Sequence, residues 1–292
     1  EINIGGGEEN AAAEVRRYTN LETMLANETP ELVDICLPTP FHASVASDLL
    51  RRGYHVLSEK PMARTYADCL EMIRAARESD RRLMIGQCLR FFPDYSFLKN
   101  AVDSGSFGKP LAAAFRRQSA PPKWAWENWY MNPELSGGCL MDMHIHDLDM
   151  IRYLFGEPQA VSCRSQDIDS RFDVVYSQLD YPGLPVTAIG DWSQTGTNFA
   201  ADFRVAFETA TLIGENGGVM VYPRSGEPYR AELNGPDGYT GEIEFFVDSI
   251  ASKEKNIKNP PESAATTIRL IETLRESALA GGERIPFKPE KI

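Results

Sequence analysis

The stretch Val33-Asp34-Ile35-Cys36-Leu37-Pro38-Thr39-Pro40-Phe41-His42 decides the fold that we expect for this chain. It is a short apolar run that leads into a loop bent by two prolines, which is typical of a buried strand in a parallel sheet. Similar runs follow at residues 54–58 and 83–87, and helical patterns lie between them at residues 42–52 and 66–79. Strands that alternate with helices predict an α/β domain with a doubly wound parallel sheet.

The character of the sequence changes from residue 111 onward. Six segments, 111–118, 160–167, 174–181, 186–195, 203–213 and 218–222, alternate polar and apolar residues and are separated by turn signals. This pattern predicts a large, mostly antiparallel open sheet, followed by a last helix from about residue 261 to Gly281. We therefore expect two domains, an α/β domain over residues 1–91 and an α+β domain over residues 92–292.

Composition excludes several classes of partner. The 292 residues carry a formal net charge of −12, which argues against nucleic acid and anionic membranes, because both need clustered lysine and arginine. The five cysteines are scattered without metal-ligand spacing, so we expect reduced thiols rather than disulfides. The sequence has no apolar run near the length of a membrane span and no signal peptide pattern. We expect a soluble, cytoplasmic protein.

An acid and base group stands in the run Gly137-Gly138-Cys139-Leu140-Met141-Asp142-Met143-His144-Ile145-His146-Asp147-Leu148-Asp149. In one continuous helix that ends near Gly156, Asp142, His146 and Asp149 would share a face. A carboxylate one turn from a histidine fixes its tautomer and tunes its pKa, so His146 is a candidate acid and base. The alternative is a half-buried histidine bonded to structural carboxylates.

A lysine follows the second strand, in Ser58-Glu59-Lys60-Pro61. Open α/β sheets bind ligands at the carboxyl ends of their strands, and a proline restricts the turn that holds this lysine there. The alternative for Lys60 is an exposed loop cation.

These motifs, in order, resemble the Gfo/Idh/MocA family of NAD(P)-dependent sugar and polyol oxidoreductases. The resemblance rests on Thr39-Pro40 with His42, on Glu59-Lys60-Pro61, on Gln87-Cys88-Leu89-Arg90-Phe91, and on Gly137-Gly138 before Asp142, His146 and Asp149. It implies a Rossmann-type domain that binds NAD or NADP, a sugar or polyol substrate, and homodimers or homotetramers formed through the sheet of the second domain. Within the family, some members are NAD-dependent glycosidases and others are regulators without catalysis.

The resemblance also implies roles for individual residues. Within it His146 is the catalytic acid and base, Asp142 holds and polarises His146, and Lys60 bonds the reacting oxygen. Opposing effects of the lysine and the carboxylate would leave the pKa of His146 near neutrality. The residues that it assigns to the cofactor are Thr39, Pro40, His42, Glu59, Lys60 and Pro61. For His42 the alternative is a helix residue without a ligand.

Substrate contacts are expected from two regions besides the catalytic helix. Arg90 and Asp149 are candidates, with a structural salt bridge and a helix-stabilising carboxylate as their alternatives. The loop over residues 122–130 holds Trp124, Trp126 and Asn128. Indole faces stack on sugars while amides bind hydroxyls, although such loops also form subunit interfaces or fill cores. We expect no metal. Asp142 and His146 have an acceptable ligand spacing, but His144 would lie on another face of the helix and no third ligand converges with them.

The start of the sequence departs from the family pattern. A dinucleotide fold needs roughly 30 residues for its first strand, glycine-rich loop, helix and second strand. Here Gly5 and Gly7 are candidate phosphate-loop residues, but Tyr18 already begins the segment before the third strand. Either the crossover is deleted, or two stretches that are separate in the natural protein are joined. We expect the second, with a break around residues 5–10, because a deletion would expose the core of the sheet.

Overall fold

The first domain is a three-stranded parallel sheet with helices packed on it. A computed structural model describes residues 15–252, 256–290 and 292. The strands are β1 (Leu32–Ile35), β2 (His55–Glu59) and β3 (Leu83–Gly86), in the spatial order β1-β2-β3. The helices are α1 (Leu21–Asn27), α2 (His42–Arg51) and α3 (Tyr66–Ser79). The parallel sheet predicted from the alternating pattern is therefore present, and it brings the carboxyl ends of three strands to one edge.

Local signals explain why α3 has the bounds that the sequence predicts. The Thr65 hydroxyl accepts a hydrogen bond from the Asp68 N–H at 3.1 Å, which caps the first turn. At the other end Asp80 adopts a left-handed conformation with φ of 52°, which ends the helix. Cys69, Met72 and Ile73 are among its buried residues.

The second domain is built on a nine-stranded sheet that follows helix α4 (Pro93–Ser104). Its strands are β4 (Pro110–Gln118), β5 (Ala160–Gln166), β6 (Val174–Tyr181), β7 (Leu184–Asp191), β8 (Ala200–Phe207), β9 (Ala210–Glu215), β10 (Gly218–Pro223), β11 (Tyr229–Arg230) and β12 (Ile285–Pro286). Their order is β11-β10-β9-β8-β4-β7-β6-β5-β12, and β4 and β7 pair in parallel while the other neighbours are antiparallel. The segment expected at residues 203–213 is a hairpin of β8 and β9 rather than one strand.

The expected continuous helix before Gly156 is wrong. The chain forms α5 (Pro133–Ser136), α6 (Gly138–Asp142) and α7 (Ile145–Phe155), and it breaks between the last two. At the break the imidazole of His144 is buried, lies 2.9 Å from the Ser177 hydroxyl of β6, and packs against Gly190 of β7. Anchoring His144 to the sheet overrides the helical periodicity, so Asp142 and His146 belong to different helices.

Helix α9 (Pro261–Leu279) joins the two domains, after α8 (Gly238–Ser252). It packs against α3 and β3 of the first domain and against α6, α7 and β5 of the second. Its buried Ile268, Ile271 and Leu274 belong to one hydrophobic cluster that extends through both domains. The domains therefore share a core, and the boundary expected after residue 91 falls in the turn before α4.

The predictions about Gly5, Gly7 and a break at residues 5–10 lie outside the described residues. In the described part of the chain, no helix has the length and apolar character required to cross a membrane.

Candidate active site

Lys60 links the carboxyl edge of the first sheet to the second domain. It directly follows β2, and its Nζ donates hydrogen bonds to Oδ1 of Asp142 at 3.0 Å and to the Asp142 carbonyl at 2.9 Å. Burial lowers the pKa of Lys60, but Asp142, Tyr130 and Glu59 more than offset this effect, so the pKa is raised above its ordinary value. The side chains remain 15% and 13% exposed, so a charged ammonium can reach a ligand.

His146 lies in the first turn of α7 and has a different environment from the expected one. Its Nδ1 is buried, and among the described residues it has no hydrogen-bond partner. Burial, followed by the positive charges of Lys60 and Arg117, lowers the pKa of His146 well below its ordinary value. The expectation of a pKa near neutrality is therefore wrong. Because α6 and α7 are separate helices, Asp142 pairs with Lys60 rather than with His146. No carboxylate of the described residues raises the pKa of His146.

Arg90 and Asp149 form a buried ion pair with each other. The Arg90 Nε donates to one Asp149 oxygen at 2.7 Å and Nη2 donates to the other at 2.8 Å, while each side chain is only 2% exposed. Thr267 of α9 donates a further hydrogen bond to Asp149 at 2.9 Å. These contacts favour the structural alternative for both residues over direct substrate binding.

The loop after β1 is fixed by His42. Its Nδ1 lies 2.8 Å from the Pro61 carbonyl and its Nε2 lies 2.6 Å from the Leu37 carbonyl. Because a neutral imidazole donates through one nitrogen only, one of these contacts is made without a proton. His42 thus ties the loop with Thr39 and Pro40 to the turn with Lys60 and Pro61, which supports the alternative of a histidine without a ligand.

Glu242 of α8 is a site residue that the sequence did not reveal. A Cβ built on Gly86, the last residue of β3, would lie 3.3 Å from Oε2 of Glu59 and 3.4 Å from Oε1 of Glu242. Burial, then the charges of Glu59 and Asp34, raises the pKa of Glu242 to about 8. No local motif marks Glu242, because its importance comes from contact between α8 and a distant strand end.

Three buried polar atoms near the strand ends lack partners among the described residues: Thr39 Oγ1, Gln87 Nε2 and Glu242 Oε2. Buried polar groups are normally hydrogen-bonded, so unsatisfied ones require an explanation. A polar ligand at this edge of the sheet would satisfy them, and these donors and acceptors suit the hydroxyl and amide groups of a nicotinamide nucleoside.

In the loop over residues 122–130, Tyr130 is the residue that lies near Lys60. It was not among the candidate residues expected from the sequence. Tyr130 stacks on Trp129 with ring centroids 4.1 Å apart. Burial, then the charge of Asp142, raises the pKa of Tyr130, while Lys60 lowers it. Trp124 and Trp126 are 67% and 66% exposed, and Asn128 has a positive φ of 53°.

Among the described residues, no cluster of three or more histidine, cysteine or acidic residues could hold a metal.

Two family models match the chain. Residues 6–87 match an oxidoreductase family with an NAD-binding Rossmann fold, and residues 95–220 match the GFO/IDH/MocA C-terminal domain. The chain belongs to the Gfo/Idh/MocA family. The match confirms the expected fold class and the domain that binds a nicotinamide dinucleotide.

Several curated proteins are similar to this chain in sequence. The 2,7-anhydro-N-acetylneuraminate hydratase of Escherichia coli is 26% identical over 60% of this chain and 49% of its own length. The myo-inositol 2-dehydrogenase of Thermotoga maritima is 32% identical over 49% of this chain and 41% of its own. The chain spans about half or less of the length of the curated relatives that it matches first.

Solved structures of Gfo/Idh/MocA type share the fold across both domains. The aldose-aldose oxidoreductase of Caulobacter crescentus has a TM-score of 0.81 at 24% identity, covering 91% of this chain and 82% of its own. A levoglucosan dehydrogenase in complex with NADH and levoglucosan has a TM-score of 0.81 at 19% identity, covering 92% and 83%. These likenesses concern the fold.

Proposed function

We propose that the protein is an NAD(P)-dependent oxidoreductase that transfers a hydride to or from a secondary alcohol of a sugar, polyol or related compound. The observation that carries the proposal is the pairing of Lys60 with Asp142 at the carboxyl edge of the first sheet, beside His146, in a chain of this family. The ammonium of Lys60, the imidazole of His146 and the carboxylate of Asp142 are then available around one reacting hydroxyl.

We assign the proton transfer to His146. Its lowered pKa keeps the imidazole neutral at physiological pH, so it can accept a proton from the substrate hydroxyl. The transfer occurs at Nε2, because Nδ1 is buried. In the reverse direction the same nitrogen returns the proton to the oxygen of the carbonyl compound.

Lys60 stabilises the charge that develops on the reacting oxygen. Its pKa is raised by nearby acidic groups, so it stays an ammonium and can donate a hydrogen bond to an alkoxide. Asp142 positions this ammonium through two hydrogen bonds. We therefore assign Asp142 to orienting Lys60 and binding a neighbouring substrate hydroxyl, rather than to polarising His146.

Residues at the strand ends would hold the cofactor, either NAD or NADP. We propose Thr39, Pro40, Glu59 and Pro61 for this role, together with Gln87 and Glu242, whose buried polar atoms lack partners. The nicotinamide supplies the acceptor or donor of the hydride when it is bound. Trp124, Trp126 and Asn128 are proposed to cover the sugar, with their exposed faces available for stacking.

The proposal includes a cytoplasmic location. Five free cysteines fit a reducing compartment.

A hydride-transfer assay tests the function. Purified protein is mixed with NAD or NADP and a panel of sugars and polyols, and reduced cofactor is followed by absorbance. We expect turnover with at least one member of the panel and loss of turnover in His146→Ala. Binding of NADH without turnover over a broad panel would instead support a regulator, although the presence of Lys60, Asp142 and His146 argues against one.

A second candidate is a reaction without net oxidation. One relative is named as a hydratase, and the family resemblance includes NAD-dependent glycosidases that oxidise their substrate transiently. The same residues would serve, because the reaction with net oxidation and the reaction without it both require proton transfer at His146 and the positive charge of Lys60. Product formation by chromatography with no net change in NADH absorbance would identify this reaction.

A further inference from the structure

A small cavity lies behind the candidate site, where three segments meet. It has a volume of about 80 Å³, enough for several waters or one small ion. Arg64 enters from the segment after Lys60, Arg171 from the loop between β5 and β6, and Arg275 from α9. The acidic residues Glu134 and Glu272 also line it.

Arg64 is the residue whose environment requires an explanation. Its Nη1 donates to the Met141 sulfur at 2.8 Å and its Nη2 donates to the Pro133 carbonyl at 3.0 Å, and both acceptors are neutral. In the described part of the chain, Arg64 forms no ion pair with a carboxylate. A partly buried guanidinium without a direct ion pair is costly. Burial and the positive charge of Arg275 lower the pKa of Arg64, and the carboxylate of Glu134 offsets only part of this effect.

The acidic residues of the cavity neutralise these charges only in part. Glu272 accepts a hydrogen bond from the Tyr66 N–H at 2.9 Å and pairs with Arg269 at 3.1 Å. Glu134 is exposed in the first turn of α5. Arg275 is exposed and forms no ion pair among the described residues, while Arg171 is 3.9 Å from Asp167. The cavity therefore has a net positive charge, because three arginines and two glutamates line it.

We propose that this cavity binds a small oxyanion of phosphate size, held by the guanidinium groups of Arg64 and Arg275 with Arg171 at its rim. Guanidinium groups present paired N–H donors that match the oxygens of phosphate. The occupant would join α9 to the turn that follows Lys60 and to the segment before α6, which carries Asp142. This inference does not depend on the proposed redox function.

Thermal unfolding of the protein without cofactor tests the site. We expect about 10 mM phosphate to raise the Tm of the wild type by roughly 3 °C relative to chloride at equal ionic strength. Arg64→Gln and Arg275→Gln should each lose most of this shift. Because Arg275 is exposed, its variant is expected to fold even if Arg64→Gln does not.

The matched control is Arg284→Gln, which removes an exposed arginine that pairs with Asp180 outside the cavity. It should keep the full phosphate shift. Phosphate also stabilises proteins non-specifically by exclusion from their surface, and an equal shift in wild type and all three variants would overturn the proposal. Absence of any shift in the wild type would overturn it as well.

The source of the oxyanion is tested by comparing two ligands. Stabilisation by glucose 6-phosphate at a lower concentration than inorganic phosphate would support the site with a phosphorylated metabolite as its source. Stabilisation by inorganic phosphate at the lower concentration would support free phosphate.

Discussion

At the residue scale, Lys60 and His146 have pKa values displaced in opposite directions. Acidic neighbours raise the pKa of Lys60, while burial and positive neighbours lower that of His146. At neutral pH the pair therefore consists of an ammonium and a neutral imidazole. This combination suits deprotonation of an alcohol, because the base is free and the developing oxyanion meets a cation.

Replacing either residue should reduce turnover more than stability. We expect Lys60→Ala and His146→Ala each to lower kcat by roughly 10²-fold or more, because they act on charge that develops in the reaction. Steady-state kinetics with thermal unfolding of the same samples measures both effects. Arg77→Ala, which removes an exposed arginine paired with Glu262, should keep wild-type turnover. If His146→Ala turns over near the wild-type rate, the assignment of the base is wrong.

Glu242 should make the stability of the protein depend on pH. Its folded pKa is raised to about 8 from 4.5, so the folded state holds a proton that the unfolded state releases. This contribution is fully present below pH 4.5 and is lost as the pH rises through about 8. We expect Glu242→Gln to be more stable than the wild type near pH 8, on the order of 1 kcal/mol, and less different near pH 5.

Urea unfolding at several pH values measures this difference. The control is Glu244→Gln, an exposed residue of the same helix, which should show no comparable pH dependence. Parallel curves for the wild type and Glu242→Gln between pH 5 and pH 8 would contradict a buried, protonated Glu242.

At the scale of elements, the ion pair of Arg90 and Asp149 joins α7 to the turn after β3, and Thr267 of α9 completes it. Removing one partner leaves a buried charge uncompensated. We therefore expect Arg90→Ala to lower the free energy of unfolding by about 3–5 kcal/mol. Equilibrium denaturation measures this loss. Arg116→Ala, which breaks an exposed pair with Asp202, should cost less than about 1 kcal/mol. A variant with normal stability and a raised substrate KM would instead favour a binding role.

Helices with local end signals were predicted well, and helices bent by distant contacts were not. The predicted bounds of α3 agree with the structure because Thr65 and the apolar period act within the helix itself. The helix expected through Asp142 and His146 is broken because His144 bonds to Ser177 on a strand that follows later. Sequence spacing alone carries no information about that contact.

Gly137 and Gly138, at the start of α6, also depend on contacts that are distant in sequence. Both residues have positive φ values, 82° and 69°. A Cβ on Gly137 would lie 2.3 Å from Nη1 of Arg64, and one on Gly138 would lie 2.1 Å from the Arg171 carbonyl. The glycines are thus required by close approach of distant segments as well as by backbone conformation.

At the scale of the whole molecule, helices cover one face of the nine-stranded sheet and the other remains open. Apolar side chains on the open face include Tyr176, Ile189, Ile213, Met220 and Tyr222, which are exposed or half-buried. They form two groups separated by the charged Arg116, Asp202 and Arg204 of β4 and β8, and exposed apolar groups of this kind mark interaction surfaces. We propose that this face forms the subunit contact of a homodimer or homotetramer, through a symmetric interface.

Sedimentation measures the assembly directly. We expect a mass of two or four times 32.6 kDa at micromolar concentration, and a shift toward the monomer in Tyr176→Arg, which places a charge in the proposed interface. Tyr239→Arg, an exposed aromatic on α8, should leave the assembly unchanged. A wild-type monomer at that concentration would remove the case for the interface.

The position of α9 in the chain has a consequence for synthesis. The ribosome releases α3, β3 and β5 long before it releases α9, which covers all three. Until then the surfaces that later enclose Ile268, Ile271 and Leu274 remain open to water and to other chains. The two domains can acquire their final arrangement only after α9 has been released, and until then these apolar surfaces are open to association with other chains.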